Sequence, residues 1–506
     1  MNKTYNYDIA ILGGGLSGLF AAVRAAEKGV KSIGIFEAGN YLGGNGVFAN
    51  TFVSSDFADY GNYDSDENAE KLYKRAMNTL EGTGCPELIY RYLYHTRDVA
   101  KWCEAHGLNE KWSPVTFGPF KSNCSLNVEY AEGKGLPRIG AALCKLLRED
   151  IEKHDFIETH LNARATKLLT NDEGTVCGAL IQMDGGYSVV NCKKLILATG
   201  GVGGTVESLA KYLPDVVSVG DDIRPGGVAT CVGDGVVMAK ELGAETGKHM
   251  NIHLLGPGYA GGRGGKLGDC MDNPFAMFVT KSGKRFADES ARFGQDLVKT
   301  LPGRVIYALY DNESLKAAWT APKAPMGGPP IDMDGDMPPM PDMEEMPPMP
   351  AHEMKKDETP FEKLAEVTKA DVAGKSFCIA GSIEELAAFI GCDAAVLQAS
   401  IDRYNADCEA GVDKHMRKDA KYLMPIKTAP FYALYSVRSL DSTQGGITVN
   451  KDLEALKEDG TAIKGMYVTG DHCTGFVSEL YGPGGAGMTF AMVSGWLAGD
   501  MAADEV

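Results

Sequence analysis

The sequence predicts an α/β protein in which a parallel-sheet domain, assembled from both ends of the chain, is interrupted by an inserted α+β cap. Three observations carry that reading. A strand, a run of glycines, a helix and a second strand follow one another at the start. From roughly residue 250 to 440 the long apolar strands give way to irregular sequence, and a strand–loop–helix pattern returns over Met466 to Ala503.

Asp8-Ile-Ala-Ile-Leu12 reads as a short buried strand, and Gly13-Gly-Gly-Leu-Ser-Gly18 follows at once. Leu19 to Lys28 is Ala-rich with helical spacing, and Ser32 to Phe36 reads as a strand ending at Glu37. A strand–helix–strand connection winds back onto its own sheet, so the sheet is predicted to be parallel. The next stretch, to about residue 160, is mainly helical by pattern, and Val176 to Gln182 and Leu195 to Ala198 return to strands. Ala321 to Glu358 is a low-complexity tract of Pro, Met, Asp and Glu. Repeated Pro removes backbone donors, so neither helix nor strand propagates through it. Methionines can hold a soft metal such as Cu(I), but the interleaved Pro and carboxylates suit an exposed insertion in the cap better.

With 506 residues, 44% of them hydrophobic, the chain can bury enough core for two domains. A net charge of −18 argues against nucleic acid and anionic membrane as partners, since both attract basic surfaces. No stretch approaches the roughly 20 apolar residues of a membrane span. The polar start, Met1 to Tyr7, runs straight into the first strand and leaves no room for a signal peptide, so the cytoplasm is the expected compartment. The 12 cysteines are scattered singly, with no CxxC or CxxCH, which excludes iron–sulfur, zinc-ribbon and c-type haem sites and predicts reduced thiols. No metal site is expected.

The glycines carry the chemistry. In Gly13-x-Gly15-Leu16-Ser17-Gly18, Gly13 permits a tight turn, Gly15 lets backbone approach a pyrophosphate, and Gly18 allows close helix–strand packing. The helix start supplies unpaired N–H groups for phosphate. Glu37, with Ala38 behind it, is placed to accept hydrogen bonds from a ribose. Further groups recur along the chain: Gly43-Gly44-Asn45-Gly46, Ala198-Thr199-Gly200, Gly233-Asp234, Asp471, and Ala486-Gly487-Met488 opening a last helix. Asp471 is read as a partner for a ribityl chain, and the last helix start as a stabiliser of negative charge on a reduced flavin. Their joint order points to FAD rather than NAD.

These residues, together with Gly233-Asp-Gly-Val-Val-Met-Ala239, Gly283-Lys-Arg-Phe-Ala-Asp-Glu289 and Gly445-Gly446, make the whole chain resemble the fumarate reductase / 3-ketosteroid dehydrogenase superfamily of FAD enzymes. The resemblance implies a Rossmann-like FAD domain over 1–250 and 443–506, and a capping domain over 251–442 carrying the insertion at 321–358. Members with covalent FAD have a His just after the second glycine pair; Asn45 stands there, so FAD is expected to be non-covalent. Neither a haem nor an FMN-binding domain is present in the sequence, which implies an external electron donor, either a protein or a reduced carrier.

The chain departs from soluble fumarate reductases where those clamp a dicarboxylate. Ser442 stands where their His is expected, the loop Ser478 to Gly485 has no Arg, and Gly268, Asp269 and Asp272 lie where their Thr-Glu-x-x-Arg relay would be. A doubly charged substrate needs cationic partners, because burying an unpaired carboxylate costs several kcal/mol or more. Tyr481-Gly-Pro-Gly-Gly485 is instead similar to the steroid-dehydrogenase loop, which implies that the Tyr481 hydroxyl and the Gly485 N–H polarise a ketone. The proton donor stays open: spacing puts Phe293 at the family's catalytic position with Arg292 beside it, and Tyr259 and Arg263 are further candidates.

The expected activity is therefore that of an ene-reductase, or the reverse dehydrogenase, on a C=C or CH–CH bond conjugated to a carbonyl, taking an enone or an unsaturated acid. A fumarate- or acrylate-type reductase, a flavin oxidase and a flavin electron-transfer subunit are the alternatives.

Overall fold

The computed structural model describes residues 3–49, 69–70, 72–74, 76–77, 85–106, 115–117, 120–122, 139–183, 185–214, 223–247, 250–260, 265–271, 273–290, 305–321, 359–476 and 486–506. Arg263, Arg292, Phe293, Asp272, Tyr481, Gly485 and the Pro/Met-rich tract beyond Ala321 lie outside the described residues. The chain forms two compact units, the first from Met1–Ser218, Pro225–Leu254 and Leu440–Val506, the second from Val219–Arg224 and Leu255–Ser439. Among the described residues no helix is long and apolar enough to cross a membrane.

The first unit is α/β. Its strands are β1 (Thr4–Leu12), β2 (Ile33–Phe36), β3 (Ile157–His160), β4 (Arg164–Thr170), β5 (Val176–Met183), β6 (Gly186–Leu197) and β7 (Met466–Val468), in one seven-stranded sheet. The order is β3-β2-β1-β6-β5-β4, with β7 also against β6. β1, β2, β3, β6 and β7 pair in parallel. The strand run β4-β5-β6 is antiparallel, which the expectation of a parallel sheet did not include. One edge of β6 is divided, with β5 along Gly186–Asn191 and β7 along Leu195–Leu197. β7, from the far end of the chain, thereby brings its C-terminal turn beside those of β1 and β6. In open parallel sheets ligands bind outside the carboxyl ends of the strands.

β1 begins at Thr4, four residues before the apolar run, because Thr4–Tyr7 pairs with Val189–Cys192 of β6. Cross-strand pairing recruits polar residues that no hydrophobic pattern marks. Six helices of this unit matter for the site: α1 (Leu16–Glu27), α2 (Pro86–Ala105), α3 (Ile139–Ile151), α4 (Val206–Tyr212), α5 (Asp234–Glu241) and α6 (Ala486–Asp504). α1 starts at Leu16 rather than at the expected Leu19, so Gly18 sits in its first turn, where a Cβ would lie 2.1 Å from Gly13 O.

α1 is buried along nearly its whole length and packs on α6. Gly495 and Gly499, one helical turn apart, admit the α1 backbone: a Cβ on them would lie 2.1 Å from Ser17 O and 2.4 Å from Ala21 O. The close crossing holds the first turn of α1 in place.

The second unit is built on a six-stranded sheet that includes Met277–Thr280, Ile306–Tyr310, Phe377–Ala380 and Phe431–Gln444. Both faces are buried, and the period of two divides the side chains between them. Ile306, Ala308 and Tyr310 join a cluster with Phe278, Leu315 and Trp319, while Tyr307 and Leu309 join one with Leu386, Leu397 and Tyr404. The described cysteines are all free thiols.

Candidate cofactor site and active centre

The turn after β1 is shaped by what its glycines touch. Gly13 has φ +109°, and a Cβ there would lie 2.2 Å from Ala198 O, so the ends of β1 and β6 approach at backbone distance. Gly15 differs: it caps α1 with φ −73°, and an added Cβ would meet nothing within 4 Å. The first turn of α1 also has no side-chain cap, leaving its N–H groups to a ligand in that open space.

Glu37 directly follows β2 and is anchored through both carboxylate oxygens. The Gly14 N–H donates to Oε2 at 2.8 Å, and the Gly39 N–H donates to Oε1 at 2.6 Å. Ala38 is the link between these two clamps. The carboxylate retains lone pairs for further donors, as a ribose diol would require.

The second glycine pair packs on the first. Gly15 and Gly43 form a parallel bridge, and the Gly43 N–H donates to Gly14 O at 2.8 Å. Gly43 has φ +134°, so a side chain there would be strained. α3 holds the turn from behind, Arg148 Nη1 donating to Leu42 O at 2.9 Å. The Asn45 side chain accepts from the Val228 N–H at 2.7 Å, and a Cβ on Gly46 would fall 2.7 Å from Leu16 Cβ. Asn45 and Gly46 thus join this turn to its neighbours.

The turns after β6 and β7 meet next to it. The Ala198 N–H donates to Leu12 O at 2.8 Å, and the Thr469 N–H to Leu197 O at 2.9 Å. Gly470 packs over Ser17 of α1 and donates its N–H to Ser494 Oγ of α6 at 3.0 Å. Between the turns lies His472, fully buried, with Nε2 3.0 Å from Leu197 O and Nδ1 3.2 Å from Thr199 Oγ1. Burial pushes this imidazole down to about 4, so it is neutral at physiological pH. Sequence reading passed over His472 and Ser494. Neither belongs to a spaced motif, and the only available signal was the position of His472 directly after Asp471.

Gly233 caps α5, whose first turn closes on Thr199: a Cβ on Gly235 would lie 2.3 Å from Thr199 Oγ1. Asp234 forms an ion pair with Arg164 Nε of β4 at 2.8 Å, so its charge is directed to the sheet. Ala486, Gly487 and Met488 are buried at the start of α6. The structure therefore gathers Gly13–Gly18, Glu37, Gly43–Gly46, Ala198–Gly200, Gly233 and the Asp471 turn within the first unit. A buried hydroxyl, Thr469 Oγ1, has no hydrogen-bond partner among the described residues. Open space at Gly15, uncapped helix N–H groups and this hydroxyl are what a bound dinucleotide would complete.

Tyr259, in the second unit, is differently placed. Its hydroxyl donates to Asp371 Oδ1 at 2.7 Å and lies 3.2 Å from Ser376 Oγ. Burial, and then the Asp371 carboxylate, raise the phenol well above its ordinary value. These bonds brace the cap and compete with proton donation to a substrate. Arg285 and Glu289, quoted for the resemblance, are likewise internal to the cap. Arg285 binds Glu289 through two nitrogens, at 2.9 and 2.7 Å, and Asp413 at 2.7 Å. Asp407, Asp413 and His415 are close enough to suggest a metal site. Both Asp413 oxygens are already spent, Oδ2 on Arg285 and Oδ1 on the His415 and Met416 N–H groups.

Comparison with known proteins agrees with this geometry. The family model described as FAD binding domain matches residues 8–488. A probable fumarate reductase of Shewanella frigidimarina is 24% identical over 98% of this chain and 74% of its own length. A vinyl phenol reductase of Lactiplantibacillus plantarum is 24% identical over 99% and 97%. The fold matches the crystal structure of 3-ketosteroid delta1-dehydrogenase from Sterolibacterium denitrificans with a TM-score of 0.70, at 16% identity over 99% of this chain and 100% of that one. With nearly the whole length matched and its glycine turns converging on one uncapped helix start, the chain belongs to the FAD-binding-domain family, and FAD is its cofactor.

Proposed function

We propose that this FAD-dependent oxidoreductase reduces, or in reverse forms, a C=C bond conjugated to a carbonyl, and that the preferred substrate is an uncharged enone. FAD, when bound, supplies the hydride-transfer centre. The chain's own part is to hold and polarise. The α1 N-terminus would take the pyrophosphate, Glu37 the adenosine ribose and Asp471 the ribityl chain, and the start of α6 would stabilise negative charge on the reduced flavin. Tyr481 and the Gly485 N–H donate to the substrate carbonyl oxygen as negative charge grows on it. The donor of the proton to the α-carbon is one of Arg292, Arg263 and Tyr259, and the bonds already made by the Tyr259 hydroxyl favour the two arginines.

The observation that carries the uncharged substrate is the Ser442–Gln444 pair. Where the resemblance calls for a cationic His, the Ser442 hydroxyl accepts from Gln444 Nε2 at 2.6 Å. Ser442 and Gln444 lie two residues apart on one strand and hence on one face of it. A neutral pair offers a dicarboxylate no compensating charge. The competing reading, a reductase of a carboxylate such as fumarate or acrylate, is favoured by the Shewanella relative.

FAD is proposed to be non-covalent because Asn45 has no nucleophilic ring nitrogen and its side-chain oxygen is engaged by Val228; acid precipitation should release FAD into the supernatant. Electrons are proposed to come from an external donor. The deciding experiment photoreduces the enzyme without oxygen and mixes it with cyclic enones, acrylate and fumarate. Reoxidation by enones, lost in Tyr481→Phe with FAD retained, supports the reading. Reoxidation by fumarate alone replaces it, and no reoxidation by any of them returns the chain to an electron-carrier role.

A further inference from the structure

Segments of the site meet around one buried side chain. His472 Nε2 lies 3.0 Å from Leu197 O, which can only accept, so Nε2 carries the proton and Nδ1 faces the Thr199 hydroxyl at 3.2 Å, with the Gly200 and Thr469 backbones also against the ring. The backbone around the ring is equally committed. His472 O accepts from the Ile447 N–H at 2.8 Å, and Asp471 O accepts from the Gly445 N–H at 2.7 Å. From the other side α5 closes on the pair, since a Cβ on Gly235 would lie 2.3 Å from Thr199 Oγ1 and 3.0 Å from His472 Nδ1. The end of β6 and the start of α5 therefore meet at the imidazole, and the Gly445–Ile447 turn is tied to the backbone that carries it.

We propose that His472 is a positioning residue for FAD: its two hydrogen bonds set the separation between the Ala198–Gly200 turn and the Gly470–Asp471 turn, and so set how tightly the cofactor is held. Packing alone would not require this residue. A leucine could fill the space, but it would leave the Thr199 hydroxyl without its acceptor and Leu197 O without its side-chain donor. The imidazole satisfies both with one rigid ring, so the distance between the two turns is a property of the ring. His472 acts through Thr199 and Asp471 and not by contact with reacting atoms.

The test compares purified holoenzymes carrying Thr199→Val, His472→Leu and both. Leu removes the acceptor for Thr199 together with the side-chain donor for Leu197 O, so both single substitutions delete the Thr199–His472 pair. The measurements are the rate of FAD release on dilution, followed by the rise in flavin fluorescence, and the melting temperature. Each single variant should release FAD at least about tenfold faster, as expected for the loss of one hydrogen bond or more. The double variant should be no faster than the worse single one, because the shared interaction is lost only once. Melting temperatures that fall while FAD release stays within twofold of wild type would make His472 a core residue only and overturn the proposal. So would single effects that multiply in the double variant. If His472→Leu does not fold, Thr199→Val alone decides by the same twofold limit. The readout is cofactor retention, so the outcome is independent of the substrate reading.

Discussion

Gly14 and Glu37 are joined across the first βαβ unit by an N–H to Oε2 hydrogen bond of 2.8 Å, and Gly39 holds the other oxygen at 2.6 Å. The carboxylate is thus aimed before any ligand arrives. Glu37→Gln is expected to be far from conservative, because an amide has only one acceptor oxygen and its NH₂ must face one of the two N–H donors. Leaving one partly buried donor unmet costs about 1–3 kcal/mol, and the proposed ribose contact would lose an acceptor. FAD affinity measured by fluorescence titration should fall by at least about tenfold. Wild-type affinity would show that Glu37 only shapes the turn.

Gly13 and Gly15 separate two uses of glycine. Ala at Gly13 must adopt φ +109° and place its Cβ 2.2 Å from a backbone oxygen, so Gly13→Ala should lower stability by about 2 kcal/mol or more. At Gly15 the φ of −73° suits alanine and the Cβ enters open space. Gly15→Ala should therefore melt like wild type without cofactor and fail to gain stability when FAD is added. Equal loss of stability in both variants, measured by thermal melts with and without FAD, would contradict this division of roles.

That division was legible in the glycine spacing, because each glycine answers to local geometry. The segment boundaries were less so. Thr4–Tyr7 became strand through pairing with Val189–Cys192, and β4 and β5 turned the sheet antiparallel at one side. Both are long-range pairings that leave no periodic trace. The same holds inside the site. Glu37 was found because it lies a set distance beyond Gly18, whereas His472 and Ser494 matter because β6, β7 and α6 come together in space. Asp234 adds a contact that the motif does not show, since its carboxylate is paired with Arg164 across the fold.

The α1–α6 crossing couples stability to cofactor binding. Gly495→Ala would set a Cβ 2.1 Å from Ser17 O, an atom of the helix backbone that cannot rotate away. Separating the helices should cost about 1–3 kcal/mol and shift the first turn of α1, whose N–H groups are proposed to take the phosphates. Urea unfolding and FAD titration should both deteriorate. Loss of stability with unchanged FAD affinity would show that the α1 N-terminus is held by the sheet alone.

The buried charge cluster of the cap predicts a pH dependence of stability. Lys418 is buried with Arg285, Glu289 and Asp413, two cations with two anions, and its Nζ donates to Ala276 O at 2.7 Å and lies 3.0 Å from the Tyr404 hydroxyl. Burial, opposed by Glu289 and reinforced by Arg285, pushes the ammonium down from 10.5 to about 8. A neutral amine fits the same place, since it can still donate to Ala276 O while accepting from Tyr404. Between pH 8 and 10.5 the unfolded chain then binds more protons than the folded one at this residue. Its contribution to stability therefore rises with pH through that window and is lost as pH falls through 8. Burial raises the Tyr404 phenol and the Cys408 thiol, which acts in the opposite direction above their ordinary values. Both groups remain in Lys418→Met, so most of their effect cancels when the two proteins are compared. The difference in unfolding free energy between wild type and Lys418→Met, from urea titrations at pH 7.5, 8.5 and 9.5 (about one unit apart), should widen in favour of wild type by at most about 3 kcal/mol. Parallel curves would mean that Lys418 keeps its proton throughout, held by Glu289 against the cost of burial.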